Sequence, residues 1–147
     1  MQITRQADYA LRAMLYLSRL EPTQRASTSQ IAREQRIPPS FLAKIISQLS
    51  IAGLIHTSRG ARGGVTLSRS PELISILDVV EAIDGPMQLN ECTFSHENCP
   101  FGEECPIRDI WCSAQQELVG RLRAANFGQF AGSTTAVKPL TPQAQVA

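Results

Sequence analysis

Residues 39–67 have the sequence PSFLAKIISQLSIAGLIHTSRGARGGVTL, and this stretch determines the architecture of the chain. Proline is tolerated in the first turn of a helix, and Gly53 is in the usual position to end one. Two short β-like segments, 54–58 and 65–67, follow, and three glycines and two arginines lie between them. We therefore predict a helix followed by a cationic β-hairpin. The apolar residues at helical spacing, which we expect to be buried, are Phe41, Leu42, Ile45, Ile46 and Leu49.

Two predicted helices precede this stretch. Thr4 is a suitable N-cap for a helix over residues 5–20, and Thr28 or Ser29 for a short second helix. Helix–helix–helix–hairpin is the order of a winged helix-turn-helix. A fourth helix over 73–84 and a long helix over 106–125 complete a mainly α fold with a small β-hairpin wing. The long helix has one apolar stripe, which in a small domain often pairs with its copy: Ile107, Trp111, Ala114, Leu118 and Leu122.

The chain divides into four predicted segments. Residues 1–84 form a winged helix-turn-helix DNA-binding region, 85–105 a cysteine loop and 106–125 a dimerisation helix. Residues 126–147 are rich in Gly, Ser, Thr, Pro, Gln and Ala, a composition that predicts a disordered tail.

Charge is distributed unevenly along the chain. Residues 1–70 carry ten basic and three acidic side chains, whereas residues 71–147 carry four basic and ten acidic ones. A polyanion such as DNA is attracted to the first half and repelled by the second. No apolar run is long enough to span a bilayer, and no secretory signal is evident, so we expect a cytoplasmic protein without membrane contact.

All four cysteines lie close together in sequence, separated by gaps of six, five and six residues: Cys92, Cys99, Cys105 and Cys112. Structural zinc sites usually use pairs separated by two to four residues. Longer gaps favour a loop around a larger inorganic core, and thiolates are the standard ligands of iron–sulfur clusters. A zinc site or a redox-switching thiol loop remains the alternative.

Cys105 and Cys112 differ in their suitability as ligands. Cys105 precedes Pro106 at a helix start, where the positive end of the helix dipole stabilises a thiolate. Cys112 lies roughly 10 Å further along the same helix, at about 1.5 Å per residue. One cluster could not easily bind both, so Cys112 is expected to be a small buried hydrophobe.

Four runs together resemble one known family: ADYALRAM at 7–14, IPPSFLAKI at 37–45, AGLI at 52–55 and RGARGGV at 59–65. They are similar to the winged-helix iron–sulfur repressors that include the cluster regulator IscR, the nitric-oxide sensor NsrR and the iron-responsive RirA. The resemblance covers about residues 1–125. It implies a homodimer paired through the long helix, DNA contacts from the third helix and wing, and a cluster bound by Cys92, Cys99 and Cys105.

The same resemblance bears on the fourth ligand. Cluster-assembly relatives use a histidine three residues after the last loop cysteine, where this chain has Arg108. Nitric-oxide-sensing relatives can use an aspartate of the partner subunit near the start of the first helix, a position matched by Asp8. His96, Cys112 or an exogenous ligand are the other candidates. A 4Fe–4S cluster is favoured over a 2Fe–2S cluster.

The DNA-binding candidates lie on the third helix and the wing. A mixture of hydroxyl, amide and ammonium groups on the helix suits phosphates and base edges in a major groove. Arginines on a glycine-rich hairpin suit a minor groove or its phosphates. A dimer would bind a near-palindromic double-stranded operator. The candidates are Ser40, Lys44, Ser47, Gln48, Arg59 and Arg62.

We therefore expect a dimeric transcriptional regulator that acts as a repressor and is controlled by a labile cluster sensing nitric oxide, iron or redox stress. One alternative keeps DNA binding but replaces the cluster with cysteine oxidation or a small-molecule effector. A thiol oxidoreductase is disfavoured because the chain lacks a Cys-x-x-Cys pair and a nucleotide-binding motif. The sequence thus predicts no enzyme.

Overall fold

The computed structural model describes residues 2–95, 97 and 99–132, and it confirms a mainly helical winged-helix fold. Strands β1 (Ile55–Ser58) and β2 (Gly64–Leu67) form an antiparallel pair. Three 3-10 turns lie at Pro71–Leu73, Glu91–Thr93 and Gly102–Glu104. The α-helices are α1 (Arg5–Ser18), α2 (Thr28–Gln35), α3 (Pro39–Ile51), α4 (Ile76–Asp84), α5 (Pro106–Ala124) and α6 (Gly128–Ala131).

Side-chain caps set the starts of α1 and α2. Thr4 caps α1 as predicted, since its hydroxyl accepts a hydrogen bond from the Ala7 N–H at 3.1 Å. The predicted cap of α2 at Thr28 or Ser29 is wrong: Ser27 accepts from the Gln30 N–H at 3.1 Å. Among three successive hydroxyl residues, Ser27 is the one whose backbone is still extended, which is the conformation a cap requires.

The fourth helix starts later than predicted. Residues Pro71–Leu73 form a separate 3-10 turn, and α4 begins at Ile76. Ser75 and Asp78 form a capping box, in which each side chain accepts a hydrogen bond from the backbone N–H of the other residue. Gly85 ends α4 with a φ of 82°, a left-handed conformation that glycine adopts easily.

The main core lies between α1, α2, α3, α4 and the hairpin. Phe41 was predicted to be buried on α3, which is wrong, because its side chain is 43% exposed. It lies near the start of the helix and packs edge-on against Tyr9, with ring centroids 6.1 Å apart. The other predicted core residues of α3 are buried: Leu42, Ile45, Ile46 and Leu49.

The hairpin is attached to the core through the segment before α2. Ala26 and Val65 exchange two backbone hydrogen bonds, of 3.3 Å from the Ala26 N–H and 2.8 Å from the Val65 N–H. Both side chains are buried. The base of the wing therefore has a fixed position relative to α2 and α3.

The predicted disordered tail is wrong for residues 126–132. Phe127 is 2% exposed and belongs to the main core, and its N–H donates to the Ile74 carbonyl at 3.1 Å. The polar composition of the segment concealed this one large apolar side chain, whose burial compensates for ordering the backbone around it. Residues 133–147 lie outside the described residues.

A second, smaller core joins α4 to α5. Leu77, Val80 and Met87 are buried there, and the C-terminal half of α5 packs against them through Leu118, Val119 and Leu122. The N-terminal half of α5 is different, because Ile107 and Ile110 are 61% and 67% exposed. The predicted apolar stripe is therefore covered within this chain only at its C-terminal end.

Replacing Phe127 with alanine should destabilise the fold by about 3–5 kcal/mol, the usual cost of removing a fully buried phenylalanine. Denaturant unfolding at a fixed protein concentration measures this. Phe130→Ala is the matched control, since Phe130 is 37% exposed, and its change should be much smaller. Equal destabilisation of the two variants would contradict the assignment of Phe127 to the core.

Candidate metal centre and nucleic-acid interface

Three cysteines line one cavity of about 510 Å³. Cys92 lies on the 3-10 turn Glu91–Thr93, Cys99 in the loop that follows, and Cys105 directly before α5. All three are half-buried free thiols. The fold thus places the three cysteines that the sequence indicated as ligands along the wall of one cavity.

Local backbone structure accounts for these positions. The Asn90 side chain accepts from the Glu91 N–H at 2.8 Å and starts the turn that carries Cys92. Gly102, with a φ of 57°, donates its N–H to the Cys99 carbonyl at 3.1 Å and turns the chain back. Such a left-handed conformation is easily adopted by glycine.

Cys105 occupies the N-cap position of α5. Its side chain makes no capping hydrogen bond, so the sulfur is available to a ligand, and Pro106 follows in the first turn. The Arg108 N–H donates to the Cys105 carbonyl at 3.2 Å. The thiol therefore lies at the positive end of a 19-residue helix.

Apolar side chains form much of the cavity wall. Phe94 and Phe101 are both strongly exposed, and Ile107 and Trp111 of α5 contribute from the other side. Arg108 also lines the cavity. The thiols therefore share the cavity with exposed apolar side chains and one guanidinium group.

The donor set around the cavity consists of three thiols. Among residues 2–95, 97 and 99–132, no three His, Cys, Asp or Glu side chains are grouped so as to bind a single metal ion. The three thiols are instead distributed around a cavity. Soft sulfur donors in this arrangement suit an iron–sulfur cluster, with a loop that contracts onto it.

The remaining candidate ligands lie elsewhere. Cys112 is half-buried and is not among the residues lining the cavity. Asp8 also does not line the cavity of its own chain: it is half-exposed in the first turn of α1, where it pairs with Arg12 at 2.6 Å. His96 lies outside the described residues.

The predicted DNA-binding residues of α3 differ in their exposure to solvent. Ser40, Lys44 and Ser47 are exposed on one side of the helix. Gln48 is half-buried, and its side-chain oxygen is buried without a hydrogen-bond partner among the described residues. Gln48 is therefore less accessible to a base edge than the other three positions.

A groove of about 430 Å³ runs between α3 and the hairpin. Ser47 and Arg59 contribute to it from opposite sides, and Arg62 is exposed at the hairpin tip. The groove is rich in hydroxyl groups, which donate readily to phosphate oxygens. The hydroxyl side chains lining it are Thr28, Ser47, Ser50, Thr57 and Ser58.

Arg25, which was not predicted from the sequence, also belongs to this surface. Its guanidinium donates to the Ser58 hydroxyl at 2.7 Å, which brings another exposed cation to the rim of the groove. Its place just before the cap of α2 gave no signal, because the pairing of Ala26 with Val65 is what brings it to the wing.

The hairpin tip depends on glycine. Gly60 has a φ of 101°, and its carbonyl accepts from the Gly63 N–H at 2.9 Å. A Cβ atom at Gly63 would collide with the Ser58 carbonyl. The two arginines are thus carried on a turn too tight for a side chain at that position.

Gly63→Ala should therefore displace the hairpin and destabilise it by about 1–3 kcal/mol, the usual cost of overpacking. The Val65 amide, which donates to Ala26, should exchange its hydrogen faster. Gly132→Ala is the matched control, because nothing lies within 4 Å of the added Cβ. Unchanged protection of Val65 in Gly63→Ala would refute this account of the turn.

Comparison with known proteins supports a regulatory role. Residues 3–132 match the family model Rrf2, described as an iron-dependent transcriptional regulator. The chain is 35% identical over 112 residues to the HTH-type transcriptional regulator NsrR of Halalkalibacterium halodurans, covering 75% of this chain and 76% of that protein. Such relatives are DNA-binding regulators and not enzymes.

Solved structures support the same fold. The structure of CymR, the global cysteine regulator of B. subtilis, is similar with a TM-score of 0.78 and 24% identity, covering 92% of this chain and 99% of that one. T. potens IscR is similar with a TM-score of 0.70 and 21% identity, over 92% and 94% of the two chains. At these identities the likeness establishes the fold alone. Among the described residues, no helix is long and apolar enough to cross a bilayer.

Proposed function

Because the chain belongs to the Rrf2 family of transcriptional regulators, we propose that it is a homodimeric repressor whose DNA affinity is controlled by an iron–sulfur cluster. The observation that carries this proposal is the single cavity lined by Cys92, Cys99 and Cys105. A 4Fe–4S cluster is favoured, with a 2Fe–2S cluster possible. The signal is nitric oxide, iron supply or redox stress, and the site of action is the cytoplasm.

The three thiols would bind the cluster, and Asp8 of the partner subunit would complete its coordination. Asp8 is paired with Arg12, so binding requires that this exposed ion pair be exchanged for the metal, at a cost of about 1 kcal/mol or less. A fourth ligand that is an oxygen atom is weak beside three thiolates. When bound, the cluster supplies a centre that reacts with oxidants or nitric oxide.

A second copy of the chain is the proposed cover for the exposed half of α5. Ile107 and Trp111 belong both to this apolar surface and to the cysteine cavity. Pairing of two α5 helices would therefore bury apolar area beside the thiols and bring partner residues near them. This continuity supports a ligand contributed by the partner.

The proposed DNA contacts come from α3 and the hairpin. Ser40, Lys44 and Ser47 would enter the major groove, with Gln48 in a minor role, while Arg59 and Arg62 would contact the minor groove or phosphates. The two-fold symmetry of the dimer would match a near-palindromic operator. Repression follows if this dimer occupies a promoter.

A second candidate keeps the same DNA-binding dimer but switches it by oxidation of the loop thiols. It is favoured by the free, half-buried state of all four cysteines. Anaerobic purification distinguishes the cluster from the thiol switch. A coloured protein with about equal iron and sulfide supports the cluster. A colourless protein with full operator affinity refutes the cluster.

Cys99→Ala should abolish retention of iron and sulfide while leaving a folded protein, because it removes one of three thiols from the cavity. Cys112→Ala is the matched control, since that thiol does not line the cavity, and it should retain the cluster. Metal and sulfide analysis after anaerobic isolation measures both. Unchanged iron content in Cys99→Ala would remove this residue from the ligand set.

Arg62→Ala should weaken DNA binding and reduce the dependence of log affinity on log salt by about one unit for each phosphate that is no longer neutralised. Binding to a fixed duplex over a range of salt concentrations measures the slope. Arg123→Ala, an exposed arginine of α5, should leave the slope unchanged. Identical slopes in Arg62→Ala and the wild-type protein would exclude the hairpin tip from the interface.

A further inference from the structure

Residues 87–89 lead from α4 into the cysteine loop and are bound to helices on both sides. The Met87 N–H donates to the Glu81 carboxylate of α4 at 3.2 Å. The Leu89 N–H donates to the side-chain oxygen of Gln115 on α5 at 2.8 Å. The side-chain amide of Gln115 also donates to the Met87 carbonyl. One glutamine thus satisfies a donor and an acceptor of the same short segment.

The side chain of Met87 is fixed as well. It is buried and packs with Leu77 and Val80 of α4 in the smaller core. Leu118 of α5 packs against the same cluster. Any displacement of residues 87–89 therefore disturbs the contact between α4 and α5.

The loop beyond this segment has no fully buried side chain among its described residues, and its first turn, Glu91–Thr93, lies against α5. Cys92 follows Leu89 by three residues, and none of the side chains described between Gln88 and Cys105 is buried. A rearrangement of the loop, such as contraction around a bound group, therefore acts on this turn and on the adjoining segment whose backbone Gln115 binds. The neighbouring helix α4 packs against α1 and α3.

This inference rests on the function proposed above. We propose that Gln115 is a positioning residue, which holds the start of the cysteine loop against α4 and α5 and transmits rearrangement of the thiols to the winged-helix unit through Met87. Gln115 binds neither DNA nor the cluster in this account. Its effect is on the coupling between the two.

The first test measures the two hydrogen bonds that Gln115 makes with residues 87–89, called the clamp below. It uses the full-length chain without a cluster. Gln115→Leu removes both hydrogen bonds at similar size, and the Leu89 amide should exchange about tenfold faster. Gln116→Leu, at the exposed neighbouring position, should leave it unchanged. Gln115→Glu keeps a side-chain oxygen that accepts from the Leu89 N–H. The Leu89 amide of this variant should therefore exchange as slowly as in the wild type. Equal Leu89 exchange in Gln115→Leu and wild type would overturn the clamp.

The second test measures transmission. The probe is a duplex selected from a random library by the wild-type chain, and the readout is the ratio of its affinities for cluster-loaded and cluster-free protein. Gln115→Leu should bring this ratio towards one, whereas Gln116→Leu should keep the wild-type ratio. The same ratio in Gln115→Leu and wild type would overturn the positioning role, because a purely structural defect weakens both states alike.

Failure of the proposed function gives a different result. If wild-type protein isolated without air contains no iron or sulfide, the cluster proposal fails, and the ratio is then taken between free thiols and thiols modified with N-ethylmaleimide. Gln115→Leu is again expected to reduce it. Transmission through Gln115 would be refuted if the wild-type protein binds DNA equally well with free and with modified thiols. It would also be refuted if Gln115→Leu does not reduce the wild-type affinity ratio.

Discussion

The cysteine loop from Gln88 to Cys105 is ordered by turns and by contacts with α5 and not by burial of its own side chains, and this constraint governs how the C-terminal half of the molecule is built. Its described side chains are exposed or half-buried, so hydrophobic burial contributes little to ordering it. Its ends are fixed instead, by the Met87 segment on one side and the start of α5 at Cys105 on the other. A loop with so little buried surface can take a different shape when its thiols bind or release a group, because ligand binding and local folding are then coupled.

The winged-helix unit is the opposite case. Its helical core is buried, and backbone hydrogen bonds between Ala26 and Val65 fix the wing to it. A rigid surface and a deformable loop occupy one small chain, joined by α4 and α5. This division suits a sensor, since a signal can change the loop without unfolding the surface proposed to contact DNA.

Sequence patterns predicted most of the local structure, but they predicted fewer of the contacts between segments that are distant in the sequence. Thr4, Pro39 and Gly53 act within a few residues, so caps and helix ends were accessible from the sequence. The three cavity cysteines were found because their chemistry is specific. Phe127 and the clamp at Gln115 were missed, because each depends on contacts between distant segments that leave no periodic signal.

Charge favours a proposed signal that passes through the fold over one that acts by direct contact with DNA. Helix α3 and the wing belong to the basic half of the chain, and the loop belongs to the acidic half. Glu91 and Glu104 are exposed beside Cys92 and Cys105, and thiolates would add negative charge. A phosphate backbone is repelled by this loop, so DNA bound to α3 lies away from it. Within one chain the loop is then connected to that surface through the helices, of which α4 packs on both α1 and α5, and in the proposed dimer Asp8 of the partner subunit adds a second connection.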